Sequence, residues 1–210
     1  SPHTVRQGHV MSAAFRYVMH NRPQPLKVTH TIIGSPRRLE AEGFIRARFA
    51  EHYSAEVPSF APNLMLLENG ERVVAATGWR SAGDEALYLE RYLDAPIENL
   101  MARLAGQPVR RARIVEVGNL AADKPGASID VVLALSRHLD RLGYEWVVFT
   151  ATRELIGIFS RLGLPLLALA AADPARLGAE AGAWGSYYET GPIVVAGKIR
   201  TALERAALHE

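Results

Sequence analysis

Glu116 stands inside an apolar, β-branched run, Arg113-Ile-Val-Glu-Val-Gly-Asn-Leu-Ala-Ala122. A carboxylate in such a setting is costly unless it is paired or used. Burial raises a carboxyl pKa towards neutrality, which suits a general base that takes a proton from an amine. Arg80 follows Gly78-Trp79 and carries the fork needed to hold a substrate carboxylate bidentately. The same residues also suit a plain ion pair, Glu116 with Arg80 or with Arg113. Asn119 lies three residues beyond Glu116. That odd separation puts the two on opposite faces of a strand unless a bulge at Gly118 re-aims one of them. With the bulge, Glu116 and Asn119 become a catalytic pair.

Three further groups could touch a ligand. Glu90 is either a substrate contact or part of the outer polar face of a half-buried strand. Trp184-Gly-Ser-Tyr-Tyr188 packs three large rings into five residues. Trp184 and Tyr187 could wall an acyl chain or simply fill the core, and Tyr187 or Tyr188 could supply a phenol as acid. Gly126-Ala127-Ser128 is a small-residue turn ahead of a helical pattern, able to show backbone N–H groups to a phosphate. Its alternative is a plain turn with Ser128 as helix cap. Asp123 and Asp130 place negative charge beside any such anion.

The elements that position these groups are readable from periodicity and turn chemistry. Lys27–Ile33 reads as a strand and Arg37 to about Tyr53 as a helix. Residues 64–68 and 71–79 form a hairpin around Asn69-Gly70, expected as a type I′ turn. Residues 86–92 alternate as a short strand. Asp94 reads as the cap of a helix over 95–105 closed by Gly106. A strand over 113–121, a helix over 128–142, a strand over 144–150 and a helix over 153–162 follow. Leu164–Leu169 and Ile193–Ile199 read as strands, Ala175–Ala183 as a loop or short helix, and the tail as helix. The order implies an α/β protein with a mixed, mainly antiparallel sheet flanked by helices on both faces. Residues 1–26 read as an N-terminal arm and 27–210 as one domain. Met11 reads as the natural start and residues 1–10 as an expression scar or upstream extension.

Composition narrows the classes. The chain has 210 residues, 49% hydrophobic and 22% charged, which suits a folded globular protein. A net charge of +2 without a basic block interleaved with aromatics gives no case for nucleic acid. Arg110-Arg111-Ala-Arg113 reads as solvated or as a strand start. There is no cysteine, which excludes disulfides, thiolate metal sites and a thiol nucleophile. The seven His show no ligand spacing, so no metal is expected. The apolar runs are too short for a transmembrane segment, and a cytoplasmic location is expected.

Antiparallel strands followed by strand, turn, helix, strand and helix resemble the GNAT (acyl-CoA N-acetyltransferase) fold. That resemblance implies a β strand over 113–121 splayed from its neighbour, with Leu120, Ala122, Gly126, Ala127 and Ser128 receiving the thioester donor. Trp79-Arg80 and the Glu116 strand resemble the acyl-homoserine-lactone synthases, a branch of the same fold. Leu89-Glu-Arg-Tyr-Leu-Asp94, Ile114-Val-Glu-Val-Gly-Asn-Leu-Ala121, Phe149-Thr-Ala-Thr152 and Trp184-Gly-Ser-Tyr-Tyr188 together resemble the thermostable hemolysin family, over about Phe44 to Lys198. That name implies red-cell lysis without a mechanism. Many acetyltransferases carry a tyrosine acid where Phe159 stands here, and Ser160 is a weak substitute.

The reading that follows is acyl transfer from a thioester to a small amine or amino-acid-like acceptor. Glu116 and Asn119 would be catalytic, and Arg80, Glu90, Trp184 and Tyr187 would bind substrate. No tightly bound cofactor is expected. Acyl-CoA or acyl-phosphopantetheine is the co-substrate, and an acyl carrier protein is a candidate partner. The competing classes are a membrane-active toxin and a non-catalytic thioester or metabolite binder of the same fold.

Overall fold

The computed structural model describes residues 26–208. The arm expected over 1–26, including the natural start and scar assigned within it, therefore lies outside the described residues apart from Leu26. The described strands are β1 (Leu26–Ile32), β2 (Asn63–Asn69), β3 (Arg72–Ser81), β4 (Ile114–Ala122), β5 (Trp146–Ala151), β6 (Leu167–Ala171) and β7 (Ile193–Lys198). They form one sheet in the order β1-β2-β3-β4-β5-β7-β6. Every neighbouring pair is antiparallel except β4 and β5. Those two are parallel and need a crossover, which α3 (Pro125–Arg141) supplies.

The helices divide between the faces. On one face, Ile45 and Phe49 of α1 (Arg38–Tyr53) and Ile97 and Met101 of α2 (Ile97–Ala105) share a core with Leu64, Leu66, Ile114 and Trp184. On the other, α3, α4 (Arg153–Arg161) and α5 (Ile199–Ala207) cover Met65, Leu67, Val115, Val117 and Phe149. Consecutive strand residues point to opposite faces. Leu64-Met-Leu-Leu67 thus feeds both cores at once, which is why β2 reads as an unbroken apolar run rather than an alternating one.

Four expectations need correction. Asn69 pairs with Arg72, so the hairpin loop is Gly70-Glu71, one residue later than expected. Only Gly70 has positive φ there, at 65°, which is the pattern of a type II′ turn and not of type I′. Residues 88–92 form a 3-10 helix and not a strand. Helix α2 begins at Ile97 without Asp94 as its cap; Glu90 Oε2 accepts from Ile97 N at 3.1 Å instead. Helix α3 begins at Pro125, three residues early, because proline's fixed φ suits the first helical position. Ala175–Ala183 lies within a kinked 3-10 segment, Pro174–Trp184, that is followed by a second 3-10 turn, Tyr187–Thr190.

Candidate active site

Strands β4 and β5 pair from Ile114 opposite Trp146 to Val117 opposite Phe149, and there the ladder ends. Beyond it β4 follows only β3 to Ala122, while β5 follows β7 to Ala151. The two strands part as a V, and a cavity of about 300 Å³ lies along the gap. A bulge sits where they part. Gly78 faces Gly118, but Ala76 faces Ala121, so Asn119 and Leu120 together oppose Thr77. Asn119 takes the left-handed conformation, φ 48°, which a short polar side chain tolerates. The bulge expected at Gly118 is therefore carried by the next residue.

Asn119, expected as a catalytic partner of Glu116, lines the cavity and has both ends of its amide bonded to the 59–61 loop. Its Oδ1 accepts from Ala61 N at 2.9 Å and its Nδ2 donates to Ser59 O at 3.2 Å. The amide thus clamps the loop between α1 and β2 onto the bulge, where Ser59 and Ala61 line the cavity. The approach is close. A Cβ on Gly78 would lie 2.9 Å from Asn119 Oδ1, Ala61 Cβ and Leu64 Cδ2.

Arg80 and Glu116 are direct cross-strand partners, and both line the cavity. Arg80 Nε lies 3.3 Å from Glu116 Oε1 and its Nη1 lies 3.5 Å from Glu85. Arg113 turns away and donates to Gly143 O at 2.6 Å. Glu116 is 6% exposed. Its two oxygens accept from Tyr88 N and Leu89 N, each at 2.8 Å. Burial pushes its pKa up, against the pull of those two N–H groups and Arg80. The result is a fixed carboxylate that faces the gap and is biased towards taking up a proton.

Rings form the wall above it. Trp184 Nε1 donates to Tyr88 Oη at 3.0 Å, and Tyr88 Oη donates to Glu180 at 3.1 Å. The Tyr92 and Tyr188 hydroxyls bond each other. Tyr187 packs edge-on against Tyr53 and Tyr188, with centroids 5.3 and 5.2 Å apart. Burial raises its phenol pKa, so it stays protonated. Gly185 anchors this wall: at φ 56°, ψ −128°, a Cβ there would meet Tyr53 O at 2.0 Å. Trp184 and Tyr187 line the cavity as expected. Tyr53, Tyr88, Tyr92 and Tyr188 join them, and of these the sequence reading singled out only Tyr188.

Glu90 does not line the cavity. Arg111 Nη1 and Nη2 lie 2.8 and 2.7 Å from its two oxygens, and Leu87 N donates at 2.9 Å. Burial raises its pKa, but Arg111 and the N–H groups of Leu87 and Ile97 outweigh that and hold it at about 2. It ties the 3-10 segment to α2 and lies outside the cavity lining.

At the open end of the V, Leu120, Ala122, Lys124, Pro125 and Ser128 line the cavity. Gly126 and Ala127 do not; they lie inside the first turn of α3. The expected phosphate turn is thus a helix N-terminus, and no side chain caps it. Asp123, whose charge argued against an anion, pairs with both Arg48 and Arg72 at 2.8 Å. Phe159 is buried against Phe149, and Ser160 is exposed, so neither offers a proton to the gap. No cluster of three or more potential metal ligands occurs among the described residues.

The thermostable hemolysin profile matches residues 33–203. The chain belongs to the thermostable hemolysin family. No curated protein sequence matches this hemolysin-family chain. Among solved structures it is similar to FeeM, an N-acyl amino acid synthase from uncultured soil microbes. Identity there is 16% and the TM-score 0.56, over 88% of this chain and 98% of that one. It is also similar to BjaI, a CoA-dependent acyl-homoserine lactone synthase, at 15% identity and TM-score 0.57, over 88% and 90%. For the acyl-homoserine lactone synthase LasI the values are 12% and 0.55, over 85% and 93%. The thermostable hemolysin chain therefore has a GNAT-like acyltransferase fold.

Proposed function

We propose that the protein, with residues 27–210 working as one GNAT-like domain, moves an acyl group from a thioester to a small amine or amino-acid-like acceptor. The observation that carries this reading is the parting of β4 and β5 over a cavity with Arg80 and Glu116 in its lining. The donor is acyl-CoA or an acyl carrier protein. Its phosphate lies at the uncapped N-terminus of α3 near Ser128, with Arg48 and Lys124 beside it. BjaI, as solved with isopentyl-CoA, and FeeM, named an N-acyl amino acid synthase, support the class of reaction by fold alone.

Glu116 accepts a proton from the acceptor's ammonium group, directly or through water, leaving the amine lone pair to attack the thioester carbonyl. Arg80 holds the acceptor's carboxylate, and Trp184 and Tyr187 wall its path. Backbone groups of Leu120–Ala122 receive the carbonyl oxygen as it becomes an oxyanion. The C–N bond forms, the C–S bond breaks, and the departing thiolate takes one proton. We assign Tyr187 as its relay, since Phe159 has no hydroxyl: the phenol protonates the thiolate and regains a proton from the N–H that the new amide nitrogen must lose.

The test is thiol release and product mass spectrometry. Purified protein receives acyl-CoA and acyl-carrier-protein panels with pooled amino acids and amines. An acylated amine is expected, and Glu116→Gln should lower its rate by roughly 10²–10⁴-fold. No product from any donor would overturn the reading.

A further inference from the structure

The two N–H groups that grip Glu116 belong to Tyr88 and Leu89, the first two residues of the 3-10 turn. Glu116 thus satisfies the orphan donors at the start of that turn, and its own setting follows the turn's position. Burial pushes its pKa up, the N–H groups of Leu89 and Tyr88 and the charge of Arg80 pull it back, and Glu90 adds to the rise.

From Tyr88 the side chain runs outward to Glu180, which sits on the same kinked segment as Trp184. The Tyr88 ring is held on three sides. Its Oη donates to Glu180 Oε1 at 3.1 Å, Trp184 Nε1 donates to that Oη at 3.0 Å, and the Arg91 guanidinium lies 4.9 Å from the ring centroid. Burial pushes the phenol up to about 12, so it keeps the proton that it donates. Arg91 Nη1 lies 2.6 Å from the other Glu180 oxygen. The side chains of this pair are 44% and 26% exposed, a setting in which an ion pair adds little to stability. Neither residue lines the cavity.

We propose that Glu180 is a positioning residue for the transfer, acting through Tyr88 on Glu116. This rests on the acyl-transfer reading above. Glu180 fixes the Tyr88 ring, the ring fixes its own backbone N–H, and that N–H is aimed at Glu116 Oε1. Without the Glu180 carboxylate the phenol turns to water, and the bond from Tyr88 N to the base loosens. A carboxylate with a weaker donor keeps its proton to higher pH.

The experiment compares the pH dependence of kcat/KM in wild type, Glu180→Ala, Glu180→Gln and Tyr88→Phe. The acid limb reports the base. In Glu180→Ala the limb should move up by about 0.5–1 pH unit, the effect of weakening one hydrogen bond to a charged group. Glu180→Gln, whose amide oxygen still accepts from the phenol, should keep the wild-type limb. Tyr88→Phe should move it as Glu180→Ala does, and the two changes together should move it no further. Turnover with the same limb in wild type and Glu180→Ala would overturn the inference and leave acyl transfer standing. A melting temperature lowered by Glu180→Ala, with the limb unmoved, would assign the carboxylate to structure and overturn it equally. No turnover with any donor would overturn the acyl-transfer reading. NMR of labelled glutamate carboxyls, with the Glu116 signal assigned by its loss in Glu116→Gln, then decides the coupling by itself. The Glu116 titration must move up in Glu180→Ala, and an unmoved one ends the inference.

Discussion

A carboxylate gripped by two backbone N–H groups and a guanidinium is fixed in place before any substrate arrives. For Glu116 that fixity serves a base, which must be unprotonated to act. Burial lifts its pKa. The rate of transfer should therefore fall as pH drops through a point above the ordinary carboxylate range. A profile still flat within that range would remove the assignment. Glu90 runs the other way. Its folded-state pKa, about 2, lies below the ordinary 4.5, so its contribution to stability is complete above 4.5 and is lost as pH falls towards 2. Glu90→Gln should be less stable than wild type at neutral pH, with the gap closing over that window in a denaturation series. The sequence exposed Glu116 because a charge in an apolar strand is conspicuous, and Arg80 because it ends the facing strand. It misled at Glu90, since five alternating residues look alike in a strand and in a 3-10 turn.

At the scale of elements, the bulge in β4 depends on one residue with two tasks. Asn119 holds a left-handed backbone and clamps the 59–61 loop. Asn119→Ala loses both and should cost about 2–4 kcal/mol. Asn119→Gly keeps the backbone freedom and should recover about 1 kcal/mol of that loss. Urea midpoints of the two variants measure the split; equal midpoints would mean that the backbone contributes nothing. Apart from 86–92, the order of strands and helices followed from periodicity and turn chemistry. The shifted turns did not. Asn69-Gly70 and Ser128 are each good local signals, but strand pairing and Pro125 moved the boundary by one and three residues. The aromatic wall was only partly visible, because Tyr53 and Tyr88 reach it from elements far apart in sequence.

At the scale of the molecule, the sheet has a packed core on each face, and no described helix is long and apolar enough to cross a membrane. If lysis follows from a product of acyl transfer, purified protein should leave erythrocytes intact while extracts of a producing strain lyse them. Prompt lysis by pure protein alone would place the activity in the chain itself. The short ladder between β4 and β5 has a mechanical side. Ile114–Val117 and Trp146–Phe149 form the spine of a two-leaved book, with β1 to β4 as one leaf and β5, β7 and β6 as the other. A small twist at the spine spreads the leaves without breaking a hydrogen bond inside either. The backbone of β4 beyond the spine then exchanges its amide hydrogens sooner than the strand's first half, and an occupant wedged between the leaves slows that exchange from the outer edge inward.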